Sequence, residues 1–330
     1  MKIRTFLFII FYTLSLTAAG GTSSINDKSV PQSPLWDSVV GLRYWYSTGN
    51  SSWNHDPSGV EPFLGNPGSV LSYDDMDAHS GEIFFQLTHK TGLFAKGFLA
   101  TGSIKNGNLN DKDYLSGQVR FSDTTSSLRN GDLDYLSIDF GGNFYENNSL
   151  DQRNSVYLKR VGGFAGYFYW QEDVHAYGVR CNPDDFGGLF CGPPGFIETP
   201  YSTNVLSNKA RWRSFRIGLT ADVNLHPKFT LNGEIAYVPI AHLKNEDSHH
   251  MRSDLGPVPN ILMDANGQGF MADLIASYKI TSQLNIGVGA RYWEFISEGS
   301  ILFANTVSLP LNDFKSKRYG VFVQASYAFA

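Results

Sequence analysis

Every second residue is apolar across residues 214–225, whose sequence is SFRIGLTADVNL. The same alternation returns in residues 284–292, LNIGVGARY, and in residues 319–329, YGVFVQASYAF. Successive side chains of a β-strand point to opposite faces, so each stretch has one apolar face and one polar or small-residue face. A soluble β-sandwich would show the same alternation, but runs of about 10–12 residues match a strand that crosses a bilayer. These stretches therefore favour a transmembrane β-barrel.

The composition agrees with a β-barrel and argues against other classes. Of the 330 residues, 17% are charged and 14% aromatic, and 33 are Gly, whereas a soluble domain usually has about 25% charged residues. A helical membrane protein needs several apolar runs of about 20 residues, which the mean hydropathy of -0.21 excludes. The net charge of -5 argues against nucleic acid as a partner.

The N-terminus has the features of a secretory signal peptide. Lys2 and Arg4 are followed by an apolar run over residues 6–16 and by small residues at 17–19. We predict that residues 1–19 form a cleaved signal peptide and that residues 20–330 form a single outer-membrane β-barrel domain.

Ten candidate strands can be placed by alternation and turn signals. They cover approximately residues 36–47, 79–90, 93–104, 132–146, 156–170, 210–225, 229–243, 269–281, 284–297 and 317–330. Short connections alternate with long polar ones, which cover about 48–78, 105–131, 171–209, 244–268 and 298–316. Short periplasmic turns and long extracellular loops are typical of outer-membrane barrels. The predicted fold is therefore all-β, an antiparallel up-and-down transmembrane β-barrel of ten strands that crosses the bacterial outer membrane as a monomer.

Five aromatic residues near the predicted strand ends are candidates for the girdle at the membrane interface. They are Trp45, Tyr46, Trp170, Trp293 and Tyr327.

Two short acidic motifs follow the third and seventh predicted strands. Asp111 and Asp113 form one, and Asp247 and His249 form the other. In each, the i and i+2 side chains of an extended chain point to the same side, and the strand count places both motifs on outward loops. His249 could take a proton from water, while Asp247 orients the imidazole and the Asp pair positions the water. The joint placement of the motifs predicts a hydrolytic site.

These motifs resemble those of the omptin family, the ten-stranded outer-membrane proteases of Gram-negative bacteria. Omptins have G-N-x-x-D-x-D after the third strand, matched by residues 107–113, and D-x-H after the seventh, matched by residues 247–249. Residues 216–220 also resemble the sixth strand of the family. The resemblance implies an omptin-type (aspartic-type) endopeptidase that cleaves polypeptides at the cell exterior with activated water, without a metal or other cofactor. The catalytic quartet implied by the resemblance is Asp111, Asp113, Asp247 and His249.

The sequence departs from the family in its specificity residues. Omptins have an acidic residue two positions before the aspartate of D-x-H, where this chain has Asn245, and a glutamate shortly after the first strand, where residues 46–54 have none. The family preference for basic residues at the cleavage site is therefore not implied here. Omptins also need lipopolysaccharide for activity, so the resemblance implies outer-membrane lipid and lipopolysaccharide as partners, the latter as activator, although its basic binding residues find no match.

Cys181 and Cys191 both fall in the predicted loop after the fifth strand. For an exported protein we expect a disulfide that restrains this loop. The alternative is a reactive thiol pair, but no activating base is near it in the sequence.

Two other functions fit a barrel with long loops. One is a non-catalytic adhesin or receptor, in which the loop Asp and His residues are only solvated surface. The other is a barrel lipase or lipid A deacylase, which would place Ser and His on the membrane-facing wall. A porin is disfavoured, because ten strands leave an interior mostly filled by side chains.

Overall fold

The computed structural model describes residues 35–147 and 156–329, and these form ten antiparallel strands closed into a barrel. Each strand pairs with its neighbours in the sequence, and the first pairs with the last. The predicted fold class is confirmed, whereas the predicted signal peptide at residues 1–19 lies outside the described residues. The strands are β1 (Trp36–His55), β2 (Ser69–His89), β3 (Leu93–Leu115), β4 (Val119–Glu146), β5 (Tyr157–Cys181), β6 (Ile197–His226), β7 (Phe229–His249), β8 (Ile261–Lys279), β9 (Leu284–Phe303) and β10 (Val307–Phe329).

The helical structure of the described residues is one 3-10 turn at Ser253–Leu255, which lies between β7 and β8. Within the described ranges, no helix has the length and apolar character to cross a membrane.

The strands are 19 to 30 residues long, which is longer than predicted. We call the end of the barrel with connections 56–68, 116–118, 182–196, 250–260 and 304–306 the upper end, and the opposite end the lower end. Two of the five predicted long loops, 105–131 and 298–316, are mostly strand, with turns of only three residues. The prediction of loop lengths was wrong because the outer face becomes polar above the apolar band. On β1, Asn50, Ser52 and Asn54 point outward while Trp53 points inward, so apolar residues no longer mark the outer face.

The lower part of the barrel has an apolar outer face. On β1, Val40, Leu42 and Tyr44 are exposed, and on β10 Val321 and Val323 are exposed. An outward apolar band of this kind faces the hydrocarbon of a bilayer. The band fixes which part of each strand spans the membrane and leaves the upper strand ends above it.

The girdle prediction was wrong for three of the five aromatic residues. Trp45, Trp170 and Trp293 are fully buried inside the barrel, with the Trp293 ring 4.8 Å from Trp45 and 5.7 Å from Trp170 between centroids. They occupy inward positions of their strands, whereas Tyr46 and Tyr327 point outward and are exposed. Together with other rings they form an aromatic layer that fills the lumen below the upper end. The layer consists of Trp45, Tyr135, Phe168, Trp170, Trp293 and Phe295.

Candidate active site

The two acidic motifs lie on strands, above the aromatic layer, and not on loops. Asp111 and Asp113 belong to β3, and Asp247 and His249 are near the end of β7. The prediction that both motifs lie on outward loops was wrong, because β3 and β7 continue well above the apolar band. All four side chains occupy inward positions of the lumen wall. The two strands that carry them, β3 and β7, are four strands apart in the ring. Placement on paired strands fixes their geometry more firmly than a loop would.

On β7, Asp247 and His249 form a hydrogen-bonded pair. The His249 Nε2 lies 3.3 Å from Oδ2 of Asp247, whose side chain is fully buried. The backbone N–H of Ser248 donates to Asp247 Oδ1 at 3.0 Å. Asn260 fixes the His249 backbone, accepting from its N–H at 2.9 Å and donating to its carbonyl at 3.2 Å. Since Nε2 faces the carboxylate, Nδ1 is the ring nitrogen that can accept a proton.

On β3, Asp111 and Asp113 form a carboxyl pair with little compensation. The hydroxyl of Ser69 on β2 donates to Asp111 Oδ1 at 3.4 Å, and Ser69 and Asp113 are Cα partners. Within the described part of the chain, no ion pair involves either carboxylate. Burial and then the charge of Asp113 raise the pKa of Asp111 to about 7, and burial also raises the pKa of Asp113. The pair therefore holds a proton close to neutral pH.

The two pairs act on each other across the lumen. The charges of His249 and Asp247 both act on Asp111. Burial opposes the charged imidazole of His249, but the charge and hydrogen bond of Asp247, and then the charge of Asp111, outweigh it and raise the pKa of His249. The structure therefore brings the four predicted residues into one electrostatic unit, which we call the quartet.

Several residues around the quartet were missed by sequence reasoning. Ser69 and Tyr73 lie in residues 48–78, which were assigned to a loop. Only the register of β2 against β3 shows that Ser69 lies beside the Asp pair and Tyr73 below it. Arg252, in the connection after β7, is paired with Asp254 at 2.7 Å, and its charge acts on Asp113. It is a cation at the upper end of the barrel, near enough to the quartet for its charge to act on Asp113.

Cys181 and Cys191 form a disulfide with a Cα–Cα distance of 5.7 Å, which ties the end of β5 to the connection that follows it. Across the described ranges, these two sulfurs and the Glu198 carboxylate are the one group of three or more potential metal ligands that lie close to one another. Because the sulfurs are bonded to each other, neither is a thiolate that could hold a metal.

The solved structure of the outer membrane protease OmpT from Escherichia coli matches this chain with a TM-score of 0.68 and 14% sequence identity, over 89% of this chain and 97% of OmpT. The chain has an omptin-like fold. The resemblance inferred from the sequence is thereby confirmed at the level of the fold.

Other outer-membrane barrels match less well than OmpT. The translocator domain of the autotransporter NalP from Neisseria meningitidis has a TM-score of 0.34 at 10% identity, over 88% of each chain. OprG from Pseudomonas aeruginosa has a TM-score of 0.32 at 10% identity, over 89% of this chain and 95% of OprG. No protein-family model and no curated protein matches the sequence.

The structure argues against a lipase site on the membrane-facing wall. His249 bonds to Asp247 inside the lumen, while the outward Ser207 hydroxyl lies 2.8 Å from His175 Nδ1 and 2.9 Å from His250 Nε2. On the outer face of β6, charged residues 209, 211 and 213 separate this serine from the apolar band. The cluster of Ser207 and two imidazoles therefore does not lie on the apolar part of the outer wall.

Proposed function

We propose that the chain is an outer-membrane endopeptidase that hydrolyses peptide bonds with a water molecule activated by the quartet. The observation that supports this most directly is that Asp111, Asp113, Asp247 and His249 face one another inside the upper lumen of an omptin-like barrel. A buried cluster of titratable groups with shifted pKa values is typical of a catalytic site.

In the proposed mechanism, each member of the quartet has one role. His249 Nδ1 accepts a proton from water as the water oxygen attacks the peptide carbonyl carbon. Asp247, bonded to Nε2, stabilises the imidazolium that forms. The Asp111 and Asp113 pair, which shares a proton near neutral pH, positions the water. The imidazolium then gives its proton to the leaving amine nitrogen as the carbon–nitrogen bond breaks.

The barrel layout supports an orientation with the upper end toward the cell exterior. Strand β1 begins and strand β10 ends at the lower end, where Ser38 and Phe329 are Cα partners. Barrels with periplasmic termini have this arrangement. We infer that the barrel lies in the outer membrane as a monomer. Polypeptide substrates then reach the quartet from outside, through the upper end. Lipopolysaccharide surrounds the upper strand ends in this orientation and is proposed as the activator on the family resemblance.

The test is cleavage of a mixed peptide library by the purified barrel refolded with lipopolysaccharide. His249→Ala is expected to lower the rate by roughly a thousandfold, because it removes the general base. His250→Ala is the matched control, since the side chain of His250 is exposed and bonds to Ser207 on the outer face. It should cleave like the wild type.

Two outcomes would contradict the proposal. Equal cleavage by wild type and His249→Ala would reject the assigned site. Cleavage by neither, under conditions in which OmpT of Escherichia coli is active, would favour a non-catalytic adhesin or receptor.

A further inference from the structure

Several buried polar side-chain atoms near the quartet make no hydrogen bond within the described part of the chain. Three of them are the hydroxyl of Tyr73, the indole Nε1 of Trp53 and the amide Nδ2 of Asn208. The three side chains are 1%, 1% and 4% exposed. Because burying polar atoms without hydrogen bonds costs free energy, a group of them beside titratable residues is expected to serve the chemistry there.

The register places these three residues on strands beside the two pairs of the quartet. Tyr73 lies one inward position below Leu71 on β2, and Leu71 is the Cα partner of Asp111. Asn208 on β6 is the Cα partner of Asp247. The charges of Asp247 and Asp111 both act on the Tyr73 hydroxyl, and the N–H groups of Trp53 and Asn208 are the donors that approach it.

The chemistry of a phenol then fixes where its proton points. A hydroxyl has one proton and two lone pairs, and the N–H groups of Trp53 and Asn208 approach as donors, so they face the lone pairs. The proton is left for the carboxylate side. Burial, followed by the charges of Asp247 and Asp111, raises the pKa of Tyr73 well above its ordinary value, so the hydroxyl remains a donor at any pH at which the barrel works.

We propose that Tyr73 is a positioning residue whose hydroxyl, with Trp53 and Asn208 beside its lone pairs, donates to a water molecule that bridges the Asp247 and Asp111 carboxylates and so sets the spacing between the two walls of the quartet. This role rests on the proposed function, because it concerns the same hydrolytic site. Tyr73 acts through the carboxylates and not on the substrate.

The test compares Tyr73→Phe with the wild type in the full chain refolded with lipopolysaccharide. We expect kcat to fall about ten- to a hundredfold with KM unchanged, as for a lost hydrogen bond to a charged group, here made through water. The acid limb of the pH–rate profile should move to higher pH, because the carboxylates lose a water-mediated donor that favours their charged form. Tyr135→Phe is the matched control, since it removes a buried hydroxyl that bonds to Ser80 in the aromatic layer. It should keep both kcat and the acid limb.

The outcomes separate this role from the proposed function. A wild type that cleaves no peptide overturns both proposals. A cleaving wild type with an unchanged kcat and acid limb in Tyr73→Phe overturns only the role of Tyr73, as does an equal loss in Tyr135→Phe. If Tyr73→Phe does not refold, Asn208→Ala removes one of the two donors and should move the acid limb in the same direction. An unmoved limb there also overturns the role.

Discussion

The lumen has two polar regions that treat buried charge in opposite ways. Below the aromatic layer, Glu82 lies between two guanidinium groups, bonded to Arg43 and at 2.7 Å to Arg291. Arg291 also reaches Asp273 at 2.7 Å, and all the side chains of this lower network are enclosed by the barrel. Above the layer, Asp111 has no cationic partner of comparable proximity within the described residues.

The contrast separates charges that hold the barrel together from charges that the proposed mechanism uses. Buried ions are tolerated when each has a close partner, and removing one partner is costly because the other is left unpaired. Carboxylates that stay uncompensated bind protons near neutral pH, which a hydrolytic site needs and a structural network does not. The lower network therefore stabilises the barrel, whereas the quartet is suited to the proton transfer that the proposed mechanism requires.

The largest expected effect of breaking this contrast is on the stability of the lower network. Glu82→Gln leaves Arg43 and Arg291 as neighbouring like charges, so the free energy of unfolding should fall by about 3–5 kcal/mol. Urea unfolding followed by gel mobility measures it, with the exposed Glu298→Gln as the control. Peptide cleavage by the folded fraction should not change. An unchanged unfolding midpoint would show that Glu82 is not compensated in the way the ion pairs indicate.

Above the aromatic layer, replacing a carboxylate by its amide should raise the free energy of unfolding instead of lowering it. The folded pKa of Asp111, about 7, lies above the ordinary value of about 4, so the folded state binds this proton more tightly. Its stabilising contribution is complete below about pH 4 and is lost as the pH rises to about 7. Asp111→Asn should therefore be more stable than the wild type at pH 8, by on the order of 2 kcal/mol, and similar to it at pH 4.

Urea unfolding of Asp111→Asn at the two pH values checks the sign, with the outward, exposed Asp264→Asn as the control. Cleavage should be lost at both. A variant less stable than the wild type at pH 8 would show that the Asp111 carboxylate is compensated after all.

The sequence predicts the parts of the barrel that the bilayer constrains. Alternation in residues 214–225 and 319–329 indicates strands with one apolar face, and the alternation of short and long connections indicates the up-and-down order. Above the band, water replaces lipid outside, so the inward Trp53 and Tyr73 of β1 and β2 could not be separated from loop residues. The wrong assignment of Trp45 to the outer girdle was avoidable. Trp45 lies between Tyr44 and Tyr46, and adjacent residues of a strand point to opposite faces, so Trp45 must point inward if its neighbours point outward.

The quartet was predictable for a different reason. The D-x-D and D-x-H spacings place each pair on one face wherever the backbone is extended, so the prediction of the motifs does not depend on the exact strand ends. The surrounding residues have no such spacing. Asn260 reaches His249 from the start of β8 and Asn208 faces Asp247 from β6, contacts that arise only from the register of neighbouring strands.

The smallest expected effect concerns substrate choice at Asn245, which is fully buried one inward position below Asp247 and donates to Met263 Sδ at 3.4 Å. In Asn245→Asp, the new carboxylate has no cationic partner until a basic substrate side chain supplies one, as the family resemblance implies. The ratio of kcat/KM for arginine over neutral peptides should then rise about tenfold, with the outward Asn266→Asp as the control. Because burial and Asp247 disfavour the charged form, the gain should grow with pH. An unchanged ratio would mean that position 245 does not contact the substrate. The quartet would then contain the only carboxylates above the aromatic layer to which we assign a role in the proposed reaction.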